Sequence, residues 1–204
     1  AGVRVIFISS RRTDSAHVPG RIYDRLVSAF GESNVFKDVD NMPIGTDFAA
    51  YVRAIIPKCK VFLTLIGRGW LDARDAGGNR RIMQADDLVR IEIERALSCS
   101  DVLVIPTMLS GAAFPAEADL PNSIKGLIGK NAAQVRQDPD FNRDISRLIE
   151  AIRQSLEQRN TNVGSDITVF GIGGAGGNAL NNIAGLNFEG TGFVALNTDH
   201  AALQ

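Results

Sequence analysis

Histidine is nearly missing from this 204-residue chain: His17 and His200 are the only two. They lie in unrelated regions, so a serine or cysteine triad built on imidazole is not expected. Cysteine is equally scarce. Cys59 and Cys99 sit in apolar contexts, and two cysteines alone do not make a zinc site. They read as buried thiols of a reducing compartment rather than a disulfide, and no metal is implied. Charge of one sign is lacking too. Twenty-two basic residues meet twenty-three acidic ones, for a net charge of −1. That balance offers no field for nucleic acid or for an acidic membrane surface. No apolar run is long enough to span a bilayer and no signal peptide is visible, so a cytoplasmic protein is expected. The chain begins at Ala1, almost directly in a strand, as a piece of a longer protein would.

What is present is a series of short apolar runs that end in charged and turn-forming residues. The reading gives strands at Val3–Ser9, Asn34–Lys37, Val61–Ile66, Asp101–Pro106 and Ala132–Val135. Helices are expected at Pro19–Phe30, Phe48–Ile56, Leu88–Leu97 and Phe141–Leu156. Gly31 stops the first helix, Thr46 or Asp47 caps the second, and Pro57 stops it. Gly67–Ala85 reads as a long polar loop, and Asp86 or Asp87 caps the helix after it. Regular alternation of strand and helix specifies a parallel sheet with helices on both faces, an α/β fold. The hydrophilic run Glu157–Ser165 reads as a linker. The pattern then restarts with a strand at Ile167–Phe170, a glycine-rich turn, a helix at Ala175–Ile183 and a strand at Phe193–Leu196. The expected organisation is therefore a domain over residues 1–156, a linker over 157–165 and an incomplete nucleotide-binding unit over 166–204.

Three places carry candidate chemistry in the first unit. FISSRR (Phe7–Arg12) ends the first strand with Ser9, Ser10, Arg11 and Arg12, at the carboxyl edge where α/β folds hold ligands. An arginine fork suits phosphate; equally, Arg11 and Arg12 can pair with Asp14, Asp38 or Asp40 at the rim. VFKDVDNMPIG (Val35–Gly45) is an acidic loop in which Pro43 fixes φ and Gly45 permits a left-handed turn. It serves as a rigid connection or as a projecting contact. Glu92 and Glu94, in DDLVRIEIERAL, are two apart and cannot share a helical face. Glu92, four after Leu88, is expected at the edge of the buried face, with Glu94 and Arg95 outward. A carboxylate there can stabilise positive charge on a sugar as a glycosidic bond breaks. It can also be an ordinary surface carboxylate paired with Arg90 or Arg95.

In order and at fitting intervals, FISSRR, GRIYDRLVSAFG, VFKDVDNMPIGTDF, VFLTLIGRGWLDARD, DDLVRIEIERAL and VLVIPTML resemble a bacterial TIR (Toll/interleukin-1 receptor-like) domain. The resemblance covers residues 3 to about 155. It implies a flavodoxin-like five-stranded parallel sheet. It also implies one of two functions: cleavage of the nicotinamide–ribose bond of NAD (an NAD nucleosidase, active when two domains pack together), or self-associating, non-catalytic signalling. NAD would be a substrate, and no further cofactor is implied. By the family's E-I-x-x-A-L pattern, Glu92 inherits the catalytic role. Arg11, Asp38, Pro43 and Gly45 fall on the family's site positions, with Ser9 and Ser10 beside them. Ser10 stands where members often have tyrosine. Trp70 matches a tryptophan of bacterial members, and either stacks on a base or wedges the loop.

GIGGAGGNAL (Gly171–Leu180) follows a strand and opens a helix, a geometry that brings backbone N–H groups to phosphates. Gly171, Gly173 and Gly176 also fit the dinucleotide-binding spacing, with Asp199 after the next strand. Together with NTD (Asn197–Asp199) and Ala202-Leu203, this stretch resembles the N-terminus of FtsZ, the tubulin-like GTPase of cell division. That resemblance makes Gly173, Gly174, Ala175, Gly176, Gly177, Asn178 and Asp199 the candidates for contacting GTP, if the unit is completed. The family's second phosphate loop is absent from these 204 residues, so GTP hydrolysis is not expected of them. A GTP-binding assembly protein that clusters TIR domains is the third functional reading.

Overall fold

The computed structural model describes residues 6–11, 17–37, 45, 47–162, 167–173, 175, 178 and 191–196. The chain divides into two compact units, Ala1–Ile152 and Arg153–Gln204. In the first, β1 (Ile6–Ser10), β2 (Val35–Lys37), β3 (Val61–Ile66), β4 (Leu103–Leu109) and β5 (Ala133–Val135) form one all-parallel sheet in the order β2-β1-β3-β4-β5. Helices α1 (Val18–Phe30), α2 (Phe48–Ile55), α3 (Leu88–Leu97) and α4 (Phe141–Asn162) separate the strands or follow the last one. This is the flavodoxin-like α/β arrangement that the alternation implies. Its strand order reverses between β1 and β3, and the crevice beyond their carboxyl ends is where such sheets take ligands.

Strand alternation sorts the core. Phe7, Phe36, Phe62, Ile66, Val104 and Met108 share one face and pack with Val52 and Ile56 of the α2 end and with Val89, Ile93 and Ala96 of α3. Phe7 lies 5.1 Å from Phe36 and 5.5 Å from Phe62, centroid to centroid. Ile6, Ile8, Leu63 and Leu65 point the other way and are fully buried. The start of α4 is tied to α1: Arg21 lies over the Phe141 ring and pairs with Asp138, and Arg25 donates to Asn142.

β3 and α3 fall where the sequence puts them, and Asp87 rather than Asp86 caps α3. Asp47 caps α2, its Oδ1 accepting the Ala50 N–H at 2.9 Å; Thr46 lies outside the described residues. Several boundaries differ from expectation, most by one or two residues, and three differences are informative. β4 starts later and continues past Pro106 to Leu109. Its pairing with β5 begins only at Thr107, so the proline occupies a level that β5 has not reached, where a missing N–H is tolerated. The loop after β3 is not structureless. A bridge pairs Arg74 with Arg80 around the Asp75–Asn79 turn, and a 3-10 turn follows at Arg81–Met83. Lastly, α4 runs through the start of the expected linker to Asn162, because nothing in Glu157–Asn162 breaks a helix.

In the second unit β6 (Ile167–Ile172) pairs in parallel with β7 (Thr191–Leu196). Gly173, just past β6, has φ +74, a conformation that strains any residue with a Cβ.

Candidate functional site

The helix that carries the two glutamates shows how the site is built. Val89, Glu92, Ile93 and Ala96 are its buried residues, spaced as one stripe of an α-helix. That stripe packs into the core facing Phe7 and Phe62. Glu92 therefore lies inside the apolar stripe, with no surface exposed, and not at its edge. Leu88, on which the sequence reading anchored the face, is 38% exposed. Val89, one position on, sets the face, and the 89/93/96 period was the signal that would have found it. Glu94, 200° further round, takes the ordinary role. Its Oε1 accepts the Arg90 Nε–H at 2.6 Å. Partial burial pushes its carboxyl up, but hydrogen bonds from Ser123 and Arg90 outweigh this and leave it below the usual range. An open groove of about 430 Å³ lies on that outer side, lined by Arg53, Ala85, Ile91, Glu94, Arg95 and Ser98. It does not contain Glu92.

At the switch point, β1 ends in Ser9, Ser10 and Arg11. Ser9 is level with Thr64 of β3 and both are buried. Neither hydroxyl has a hydrogen-bond partner among the described residues. Ser10 is half-buried. Arg11 is buried as well, and its acidic partner among the described residues is Asp87. Nη1 and Nη2 donate to Oδ2 and Oδ1 of Asp87, each at 2.9 Å, and Nε donates to the Trp70 carbonyl at 2.8 Å. The fork whose chemistry would suit a phosphate thus holds a carboxylate 76 positions away. The same Asp87 caps α3, Oδ1 accepting the Arg90 N–H at 3.0 Å, and the half-exposed Arg81 approaches Oδ2 at 3.4 Å.

Trp70 has no exposed surface. It packs in the core as a wedge under the loop, with the Arg11 guanidinium 5.8 Å from its ring centre, within cation–π range. Its ring presents no open face for stacking on a base. Its indole N–H has no partner among the described residues. Gly45 adopts the left-handed turn expected of it, φ +84. Asp38, Pro43, Arg12, Asp14 and Asp40 lie outside the described residues. So do Gly174, Gly176, Gly177 and Asp199 of the second unit, where Ala175 and Asn178 are helical and exposed.

Both cysteines are thiols, Cys59 buried and Cys99 half-buried. Among the described residues no helix is long and apolar enough to cross a membrane.

No family model matches the chain. Its fold is similar to that of the TIR domains in the structure of the activated Roq1 resistosome directly recognising the pathogen effector XopQ. The TM-score is 0.53 at 10% identity, over 75% of this chain and 99% of that one. A different similarity is short and closer in sequence. The cell division protein FtsZ of Rickettsia bellii is 58% identical over 38 residues, 19% of this chain and 8% of that protein. FtsZ of Caulobacter vibrioides (strain NA1000 / CB15N) is 52% identical over 46 residues, 22% of this chain and 9% of that protein. The chain thus spans about a tenth of the length of the curated relatives it matches. The first unit therefore has the fold of a TIR domain, and the chain carries in addition a short stretch similar to FtsZ.

Proposed function

We propose that the first unit is a TIR module that hydrolyses NAD at the nicotinamide–ribose bond, with Glu92 as its catalytic carboxylate. The observation that carries this reading is the burial of Glu92 in the apolar stripe of α3, a helix packed against β1 beside the switch point. A carboxylate taken out of water is costly to hold in an apolar stripe. In a water-poor crevice its charge acts strongly on a developing cation. As the C–N bond breaks, its electron pair leaves with the nicotinamide ring nitrogen and the ribosyl carbon becomes positive. The Glu92 carboxylate stabilises that carbon until water adds to it, the water's proton is released, and ADP-ribose forms.

Ser9, Ser10, Asp38, Pro43 and Gly45 are the proposed substrate rim. Self-association is the proposed trigger: with Glu92 fully covered in the single chain, a second copy is needed to open or complete the pocket. The test is NAD depletion by the purified 204-residue chain across a wide concentration range. Turnover per molecule that rises with concentration, and that Glu92→Ala abolishes while the fold is retained, supports the reading. A folded Glu92→Ala chain with undiminished turnover removes Glu92 from the reaction.

A second reading, a non-catalytic interaction module joined to its own kind through Asp38–Gly45, draws on a separate observation. Arg11 and Trp70, two of the residues the resemblance sends to the nucleotide, are committed inside the protein. Concentration-dependent self-association without any loss of NAD favours it. A GTP-binding role for Gly173–Asn178 and Asp199, with TIR domains clustered by assembly, belongs to a chain that supplies the remaining nucleotide loops. GTP-dependent oligomerisation of such a chain tests it.

A further inference from the structure

Arg11, Asp87 and Trp70 come from the end of β1, the N-cap of α3 and the loop after β3. They meet in one buried knot. The ion pair is bidentate and nearly sealed, its side chains 3% and 1% exposed. Among the described residues, three of Arg11's N–H donors are engaged, two on Asp87 and one on the Trp70 carbonyl. A planar fork matched to a carboxylate fixes direction as well as distance. Asp87 in turn fixes the first turn of α3 through the Arg90 N–H, while its own carbonyl accepts the Ile91 N–H at 2.9 Å. Glu92 is the next residue along. Rotation or translation of α3 about this N-terminus carries the Glu92 carboxylate with it, and the knot denies both movements relative to β1.

We propose that Asp87 is a positioning residue for Glu92, locked to the switch point by Arg11, so that Arg11 serves this carboxylate and not a substrate phosphate. The proposal rests on the reading of Glu92 as the catalytic carboxylate, and it makes an independent claim about what holds α3. It assigns to Asp87 a duty beyond capping. Serine and asparagine cap helices about as well as aspartate, so a substitution that keeps the cap and loses the charge separates the two.

The experiment uses the full chain with Arg11→Ala, Asp87→Ser and the double variant. In urea unfolding, the midpoint of the double variant is expected to fall no further than that of the worse single variant. Shifts that simply add would show that the two residues act apart, and would overturn the proposal. In NAD cleavage, measured on chains verified as folded, each single variant is expected to lower kcat at least tenfold with KM within twofold, and the double variant to lose no more. A tenfold rise in KM for Arg11→Ala alone would return Arg11 to the phosphate. Unchanged kcat in folded Asp87→Ser would reduce Asp87 to a cap. If the unsubstituted chain does not cleave NAD, the reading of Glu92 fails by itself. Amide hydrogen exchange then decides the claim about α3: faster exchange at Ile91–Ile93 in both single variants sustains it, and unaltered exchange overturns it.

Discussion

The two sides of α3 differ more than the sequence of that helix suggests. On one side Glu92 is wholly covered among Val89, Ile93 and Ala96. On the other, Glu94 is a third exposed and answered by Arg90 one turn away. Two identical side chains, two positions apart, thus differ sharply in burial. The half-buried pair adds modestly, because water still reaches the carboxylate and ordering two long side chains costs entropy. The covered carboxylate sits where charge acts at short range and low dielectric. The residue type says nothing about which of these a glutamate does; the helical phase relative to the core decides.

That contrast can be broken most directly by removing each carboxylate in turn. Glu92→Ala is expected to lower NAD turnover by roughly 10²–10³-fold, whereas Glu94→Ala leaves turnover within twofold. Equal losses in an NAD-depletion assay would erase the distinction. The next largest effect concerns the buried knot at the start of α3. Arg11→Ala leaves the sealed Asp87 carboxylate without its main counterion and is expected to cost about 3–5 kcal/mol. Arg90→Ala, which loses the Glu94 pair and the bond to the Met83 carbonyl, is expected to cost about 1–2 kcal/mol. Urea denaturation of the two variants compares them on one scale.

A sharper version of the contrast comes from a half-open pair at the start of α4. Hydrogen bonds from Arg136 to Asp144 outweigh the cost of burial and hold that carboxyl down at about 2, against an ordinary value of 3.8. A carboxylate depressed in the folded state stabilises the protein fully above 3.8, and the contribution disappears as pH falls toward 2. Arg136 is 36% exposed, so solvent screening trims the effect to roughly 1–2 kcal/mol. Asp144→Asn should therefore lower stability by roughly 1–2 kcal/mol at neutral pH and flatten the acid limb of the stability curve between those two pH values. An unchanged acid limb would show that the pair contributes nothing. A small effect is expected at the exposed cap of α2. Asp47→Ala removes the bond to the Ala50 N–H and is expected to lower stability by about 1 kcal/mol. Asp47→Ser should restore most of it, as read by the same unfolding midpoints.

Much of the fold was legible because it depends on neighbours in sequence. Val61–Ile66 is a continuous bulky apolar run and became β3 as bounded. Asp87 followed by an apolar period became the start of α3. Gly45 took the positive φ that a turn there requires. The misreadings have tertiary causes. A proline ordinarily ends a strand, yet β4 continues past Pro106 because a strand tolerates proline where its neighbour does not extend to that level. A helical period anchored on Leu88 puts that residue in the core, yet in the folded chain Leu88 is 38% exposed and Val89 faces inward. Among site residues, Ser9 and Ser10 lie at the sheet edge as their place at the end of a strand implies. The partner of Arg11 was not readable, since no local pattern links positions 76 apart.

By itself, then, the sequence determined an alternating α/β chain, its strand and helix centres, and which stretches hold titratable and phosphate-sized chemistry. Apolar periodicity, caps and turn residues act over a few positions and need no partner. Only the tertiary structure decided that Glu92 is covered, that Arg11 is bound to Asp87 and that Trp70 is a wedge. Burial and ion pairing are properties of what the rest of the chain brings alongside, and in a parallel sheet those neighbours arrive from distant crossovers.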